Sequence, residues 1–128
     1  MAKIPEYNRR TEDIGNAVAM EHVNVCIPDQ QLATVFYITG LGLTRDPTLV
    51  TGVGNMWVNV GRNQFHLPTN KPNVVRGTIG IVMPNRDRLL SRLTSVKQLL
   101  KKTKFTFKAA KGHVDVTCPW GNQFRIHP

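Results

Sequence analysis

Acidic residues are scarce in this chain of 128 residues. Eight Asp and Glu stand against 17 Lys and Arg, which gives a formal net charge of +9 and a pI near 10.2. No two acidic residues lie together on a predicted polar face, so catalysis by a pair of carboxylates is not expected. The excess of positive charge favours anionic partners: nucleic acid, an acidic membrane surface or small acids.

Cysteine, serine and long apolar runs are scarce as well. Cys26 and Cys118 show no CxxC spacing, which indicates neither a disulfide framework nor a cysteine-based zinc site. The serines Ser91 and Ser95 fall on a predicted helix, so a nucleophilic enzyme is not indicated. No run of 18 apolar residues occurs, and MAKIPEYNRR at the start lacks the apolar core of a signal peptide. We therefore expect a cytoplasmic protein without membrane spans.

A repeated pattern organises the rest of the chain. GRNQFHLP at 61–68 returns as GNQFRIHP at 121–128, and HVNVCIPD at 22–29 is echoed by TIGIVMPN at 78–85. Apolar residues make up 41% of the chain, which suits one globular domain of this length. These two echoes, at offsets of 59 and 56 residues, indicate two copies of one structural unit inside that domain.

Each copy predicts a strand followed by a helix. The strand-like alternation ends at a proline and a good helix N-cap, Asp29 or Asn85. Apolar residues at helical spacing follow each cap: Leu32, Val35, Phe36 and Tyr37 in the first half, and Leu89, Leu93, Val96 and Leu100 in the second. Two more strands then fit before each NQF strand, at residues 43–48 and 55–60 and at residues 105–109 and 113–117.

The expected fold class is therefore α+β, with two tandem βαβββ modules. We predict an N-terminal extension at 1–18, the first module at 19–68, a linker at 69–73 and the second module at 74–128. All of these form one domain overall. The modules should build a curved sheet that lines a cleft, with the helices on its outer face.

Strand alternation separates an apolar face from a polar face. Val23, Val25 and Ile27 point towards the helices, so His22 points the other way. The same parity places the other candidate ligand-binding side chains on the polar face: Trp57, His66, Thr78, Asp115 and Arg125. A polar face is also common on a simple solvated sheet, but the doubled sheet favours a cleft.

The ending CPWGNQFRI resembles the DP-x-GN-x-x-E-L ending of the vicinal oxygen chelate superfamily, and a first strand opening on His22 fits the same pattern. This superfamily includes glyoxalase I, extradiol dioxygenases, fosfomycin-resistance enzymes and bleomycin-resistance proteins. The resemblance covers residues 20–127. It implies the fold, and it suggests a homodimer that binds a small molecule.

The resemblance also implies a divalent-metal site, with one ligand from the first and one from the fourth strand of each module. Those positions are His22, His66, Thr78 and Arg125. The two histidines suit a metal, whereas Thr78 is a weak ligand and Arg125 is a cation without an acceptor. We therefore expect no cofactor, although a metal held by His22 and His66 stays possible, with Asp115 as a candidate third ligand.

The short connection CPWGN also places Asp115 opposite Arg125 on neighbouring strands. A cross-strand ion pair between them is the interpretation that we favour over a metal role for Asp115.

A basic segment raises a different possibility. Residues 97–111 contain several lysines, with Phe105 and Phe107 between them, which is a composition found in nucleic-acid-binding proteins. The two phenylalanines alternate with polar residues as they would in a strand with one buried face. A solvated helix end and an edge strand is therefore the favoured interpretation.

The function predicted from the sequence is binding of a small, anionic organic ligand in a cleft with a degenerate metal site. Arg125 would hold a carboxylate or phosphate, His22 and His66 would hydrogen-bond the ligand, and Trp57 would cover an apolar part. The first alternative is a metal-dependent lyase or dioxygenase that uses His22 and His66. The second is a basic nucleic-acid-associated protein.

Overall fold

The computed structural model describes Ala17, residues 19–47 and residues 52–128. The predicted N-terminal extension, apart from Ala17, and position 48 of a predicted strand lie outside the described residues.

Both halves of the chain fold as βαβββ modules. The first module consists of β1 (His22–Asn24), α1 (Gln30–Ala33) with a π-helical continuation (Thr34–Gly40), β2 (Thr44–Arg45), β3 (Asn55–Val60) and β4 (Asn63–Pro68). The second module consists of β5 (Thr78–Val82), α2 (Arg86–Val96), β6 (Thr106–Ala110), β7 (His113–Thr117) and β8 (Gln123–His127). The predicted α+β class with tandem modules is confirmed.

The two modules have the same sheet topology. Each forms a four-stranded sheet, in the orders β1-β4-β3-β2 and β5-β8-β7-β6. The first and last strands of a module pair in parallel, and the remaining neighbours are antiparallel. β2 is shorter than predicted: the N–H of Asp46 still donates to the carbonyl of Trp57 at 2.9 Å, but Pro47 has no N–H with which to extend the ladder.

The predicted helix caps are present in both modules. The side chain of Asp29 accepts a hydrogen bond from the N–H of Leu32 at 3.1 Å, and that of Asn85 accepts one from the N–H of Arg88 at 3.1 Å. Each cap satisfies a backbone donor that the first helical turn leaves without a partner. These side chains fix where the helix of each module begins.

The sequence had led us to expect a regular α-helix after Asp29, but the first helix is not regular. After one α-helical turn it widens, and the N–H of Leu41 donates to the carbonyl of Phe36, five residues back, at 2.8 Å. Its buried residues are spaced four apart, as Ala33, Tyr37 and Leu41 and as Phe36 and Gly40. An ordinary α-helix also buries residues at this spacing on one face, so the burial pattern gives no reason for the π-helical form.

The second helix is shorter than its apolar pattern predicts. It ends at Val96, and residues 97–102 form turns. Leu100 is nevertheless fully buried, and its N–H donates to the carbonyl of Val96 at 3.1 Å. The pattern therefore identified the buried positions correctly but not the end of the helix. No helix among the described residues is long and apolar enough to cross a membrane.

One aromatic cluster joins the two modules. Phe36 and Tyr37 of the first helix lie 5.8 and 5.9 Å from the ring of Phe124 on β8 of the second module. Phe65 on β4 contacts the same ring at 6.1 Å, and all four side chains are buried. The two modules therefore share a core, and the burial of these four rings depends on both modules.

This core leaves the polar face of each sheet on the opposite side. On β8, Phe124 and Ile126 are 1% and 2% exposed, whereas Arg125 between them is exposed. On β1 and the residues after it, Val25 and Ile27 are buried in the same way. Strand alternation thus assigned the faces correctly.

Candidate functional site

The polar face of the second module is ordered in three rows that cross the sheet. Strand register makes the members of the first two rows direct neighbours on adjacent strands, and in the third row the rings of His113 and His127 lie 6.4 Å apart. The hydroxyl row contains Thr78, Gln123, Thr117 and Thr106. The charge row contains Gly80, Arg125, Asp115 and Lys108. The third row contains Val82, His127, His113 and Ala110.

An ion pair lies at the centre of this face. Nε of Arg125 donates to Oδ1 of Asp115 at 2.9 Å, and Nη2 donates to Oδ2 at 3.2 Å. These hydrogen bonds lower the pKa of Asp115 and raise the pKa of Arg125. Nε2 of His113 also lies 3.3 Å from Oδ2 of Asp115. The predicted cross-strand pair is therefore present.

The pair leaves part of the guanidinium available. Both side chains are close to half exposed, at 46% for Arg125 and 44% for Asp115. Two of the five N–H groups of an arginine are used by Asp115, and the other three have no partner among the described residues. Arg125 can therefore bind an anion without releasing Asp115.

A cavity of about 230 Å³ lies against the same face. It is lined by Thr78, Asp115, Val116, Thr117, Gln123, Phe124 and Arg125. Gly80 lies beside Arg125 on the neighbouring strand, and a Cβ atom added there would have the Nε2 of His127, 3.9 Å away, as its nearest neighbour. The face therefore has open space at the position of Gly80.

The corresponding face of the first module carries a compact cluster of rings. The rings of Trp57 and His66 are stacked, with centroids 4.0 Å apart and planes inclined by 5°. The ring of His22 meets Trp57 edge-on at 4.9 Å and His66 at 6.2 Å. Trp57 is only 9% exposed, so His66 already covers one face of its ring.

Both ring nitrogens of His66 are occupied. Nδ1 lies 3.0 Å from Oδ1 of Asn24, and Nε2 lies 2.7 Å from Oδ1 of Asn55. Burial, and secondarily the charge of His22, lower the pKa of His66, which favours the neutral ring. A neutral ring has one N–H and one acceptor, so it is satisfied when one asparagine accepts and the other turns its NH₂ towards the ring.

Other polar side chains of the first module also bond to one another. Nε2 of Gln64 donates to Oδ2 of Asp46 at 2.7 Å and to Oδ1 of Asn59 at 2.9 Å. Nδ2 of Asn59 donates in turn to the hydroxyl of Thr44 at 3.3 Å. The polar side chains of this face therefore bond to one another, whereas several donors and acceptors on the face of the second module have no partner among the described residues.

The six candidate residues therefore form two groups, one in each module. Rings bring together His22, Trp57 and His66, whereas Thr78, Asp115 and Arg125 line the cavity of the second module. One cleft that contains both groups stays a prediction. Sequence analysis missed the place of Lys108 in the charge row. The sequence does contain a signal for this position. A two-residue turn at Lys111–Gly112 pairs Ala110 with His113, and the same register pairs Lys108 with Asp115.

Solved structures show which fold this is. No protein-family model matches the chain, and no curated protein matches it by sequence. A glyoxalase family protein from Bacillus anthracis matches with a TM-score of 0.62 at 18% identity, over 88% of this chain and 95% of that one. This chain has the glyoxalase/bleomycin-resistance fold.

Two further neighbours have this glyoxalase-like fold. A member of the glyoxalase/bleomycin resistance protein/dioxygenase superfamily from Sphaerobacter thermophilus has a TM-score of 0.57 at 19% identity, over 87% of this chain and 97% of that one. Lactoylglutathione lyase from Agrobacterium tumefaciens has a TM-score of 0.55 at 15% identity, over 88% and 95%. These likenesses extend over nearly the whole glyoxalase-like domain.

The residues at the implied metal positions of this glyoxalase-like protein do not fit a divalent cation. Arg125 has no lone pair, and its positive charge would repel the ion. Both nitrogens of His66 are engaged by asparagines. The described part of the chain contains no cluster of three or more His, Cys, Asp or Glu that could hold a metal.

The basic segment of the second module is built into the fold. Phe105 and Phe107 are half-buried against the shared core, and Nζ of Lys97 lies 5.9 Å from the centroid of Phe107. Nucleic-acid bases stack on aromatic faces that are exposed. Phe105 and Phe107 are only partly exposed, residues 97–102 form turns after α2, and β6 is the edge strand of its sheet, as the favoured interpretation expects.

Proposed function

We propose that this protein binds a small anionic organic ligand on the polar face of its second module. Arg125 receives the carboxylate or phosphate of the ligand, and Lys108 in the same row adds positive charge. The observation that carries the proposal is the exposed guanidinium beside a cavity, with three N–H groups that Asp115 does not use.

The charges of this face support an anion. The charge row holds two cations and one carboxylate, so its net charge is positive even with the ion pair formed. Hydrogen bonds from a guanidinium to a carboxylate or phosphate are short and are about twice as strong as bonds between neutral groups. The cavity of about 230 Å³ is smaller than a typical drug-sized pocket, which suits a small metabolite.

The ring cluster of the first module has a more limited part in this proposal. His22 is the most exposed ring of the cluster, with a side-chain exposure of 35%, so it is the ring with which a ligand would make contact. His66 and Trp57 orient His22 through their ring contacts. We propose that the protein assembles as a homodimer, as the resemblance implies, and that it acts in the cytoplasm, as expected from its cysteine content and N-terminal sequence.

The test is a titration of isotope-labelled protein with inorganic phosphate at constant ionic strength, followed by amide NMR shifts. We expect shifts centred on residues 78–80 and 123–127. Arg125→Gln should weaken binding about tenfold or more, because charged hydrogen bonds are lost. Arg88→Gln changes the net charge equally at an exposed position on α2 and should have little effect.

The Asp115→Asn variant tests whether Arg125 is an anion receptor or only the partner of Asp115 in a structural ion pair. It removes the competing carboxylate and frees all five N–H groups of Arg125, so phosphate should bind more tightly. Equal phosphate binding by the wild type and by the Arg125→Gln and Asp115→Asn variants would refute the proposed function.

A further inference from the structure

We propose that the ligand is a hydroxylated anion of about five or six carbons, a sugar acid or a sugar phosphate. Its anionic group binds Arg125, and its hydroxyl groups bind the hydroxyl row of the same sheet. This inference rests on the proposed function for the anionic group and adds the chemistry of the rest of the ligand.

The hydroxyl row lies at a defined distance from the charge row. Gln123 and Arg125 are two residues apart on β8 and point to the same face, as do Thr117 and Asp115 on β7. Two residues of a strand span roughly 6.7 Å. A ligand that uses both rows therefore needs hydroxyl groups roughly four to six bonds from its anionic group.

The chemistry of the row matches a polyol. A threonine hydroxyl and a glutamine amide each donate and accept hydrogen bonds, as does a ligand hydroxyl. The side chains of Thr78, Thr117 and Gln123 have no hydrogen-bond partner among the described residues, and all three line the cavity. The equivalent row of the first module behaves differently, because Gln64 and Asn59 bond to other side chains there.

Asp115 favours a ligand that carries hydroxyl groups over a simple anion. Its carboxylate lies in the cavity beside Arg125 and repels a simple anion. The same carboxylate accepts hydrogen bonds from ligand hydroxyls, because an ionised carboxylate has lone pairs left after binding a guanidinium. The hydrogen bond from Arg125 lowers the pKa of Asp115, so it is ionised at neutral pH. A sugar acid or sugar phosphate supplies both the anion and the hydroxyl donors.

The test compares four probes by isothermal titration calorimetry on the full chain. Sorbitol 6-phosphate and gluconate carry an anion and hydroxyls, hexyl phosphate carries the anion without hydroxyls, and sorbitol carries hydroxyls without the anion. We expect the stronger of the two hydroxylated anions to bind about tenfold or more tightly than hexyl phosphate, since several hydrogen bonds are added. Which of the two binds better distinguishes a phosphate from a carboxylate as the natural anion.

Variants locate the selectivity in the hydroxyl row. Thr117→Val keeps the β-branched shape and should weaken binding of sorbitol 6-phosphate about three- to tenfold, with hexyl phosphate unchanged. Thr39→Val removes an exposed hydroxyl from the first helix and should leave both affinities unchanged. Melting temperatures of both variants show whether the fold is intact.

The outcomes separate the two proposals. Equal affinity for sorbitol 6-phosphate, gluconate and hexyl phosphate overturns the hydroxylated ligand but leaves the anion receptor standing. Absence of binding by all three anions overturns both. Selectivity that persists unchanged in Thr117→Val together with Thr78→Val overturns the role of the hydroxyl row.

Discussion

Replacement of Phe124 tests whether the two modules depend on one shared core. Phe124 lies on β8, is 1% exposed, and contacts the rings of Phe36, Tyr37 and Phe65 at centroid distances of 5.8 to 6.1 Å. Phe36 and Tyr37 belong to the other end of the chain and to the other module. Replacing Phe124 by alanine therefore removes a contact that joins both modules.

The expected loss follows from this burial. Truncation of a buried phenylalanine to alanine costs about 3–5 kcal/mol of unfolding free energy, because apolar contacts are lost and a cavity remains. For a domain of this size that lowers the melting temperature by roughly 10–25 °C. Phe107, which is half-buried on the edge strand β6, provides the matched control, and Phe107→Ala should cost about 1–2 kcal/mol.

Urea denaturation followed by fluorescence and circular dichroism measures these losses. We expect one cooperative transition by both probes, because the modules share a core. In a double-mutant cycle, Phe36→Leu and Phe124→Leu should couple by about 0.5–1.5 kcal/mol. Two separate transitions in the wild type, or strict additivity of the two substitutions, would show that the modules are independent.

Two further predictions concern a turn and a histidine. Gly42 has φ of +83°, and an added Cβ atom would lie 2.6 Å from the guanidinium of Arg92, so Gly42→Ala should cost about 1–3 kcal/mol in urea denaturation. Gly112→Ala, at φ of +91° in open space, should cost less, and equal losses would contradict the steric argument. Burial, and secondarily the charge of His22, lower the pKa of His66 in the folded state. The free energy of unfolding should therefore be highest above about pH 6.5, the ordinary histidine value, and should decline as the pH falls from there towards the lowered pKa. An NMR titration giving His66 a pKa above 6.5 would contradict this, and His66→Gln should remove its share of the decline in melting temperature.

Much of the fold followed from local sequence. The repeated NQF strand predicted two copies of one module, and Asp29 and Asn85 marked the beginnings of the helices. Alternation along a strand assigned Phe124 to the core and Arg125 to the polar face, because successive side chains of a strand point to opposite sides. These features depend on neighbours in the chain, so the sequence contains them directly.

The lengths of the helices and the π-helical form of the first one could not be predicted from the sequence. The wider turns of the first helix left no signal in the apolar spacing, because its buried residues follow the i, i+3, i+4, i+7 pattern of an ordinary α-helix. The second helix ended at Val96 although Leu100 stayed buried. Apolar spacing identifies which residues are buried, but it does not fix the hydrogen-bond pattern of the backbone that carries them.

The sequence by itself determined the residue types of the candidate site: a histidine pair in the first module, and Arg125 where a metal ligand was implied. Only the tertiary structure decided which of these groups are already satisfied. It paired both nitrogens of His66 with asparagines, and it aligned Lys108, Asp115 and Arg125 across three strands. Hydrogen bonds between side chains extend over only about 3 Å, so they depend on strand register and side-chain direction, which are fixed when the two sheets fold onto their shared core.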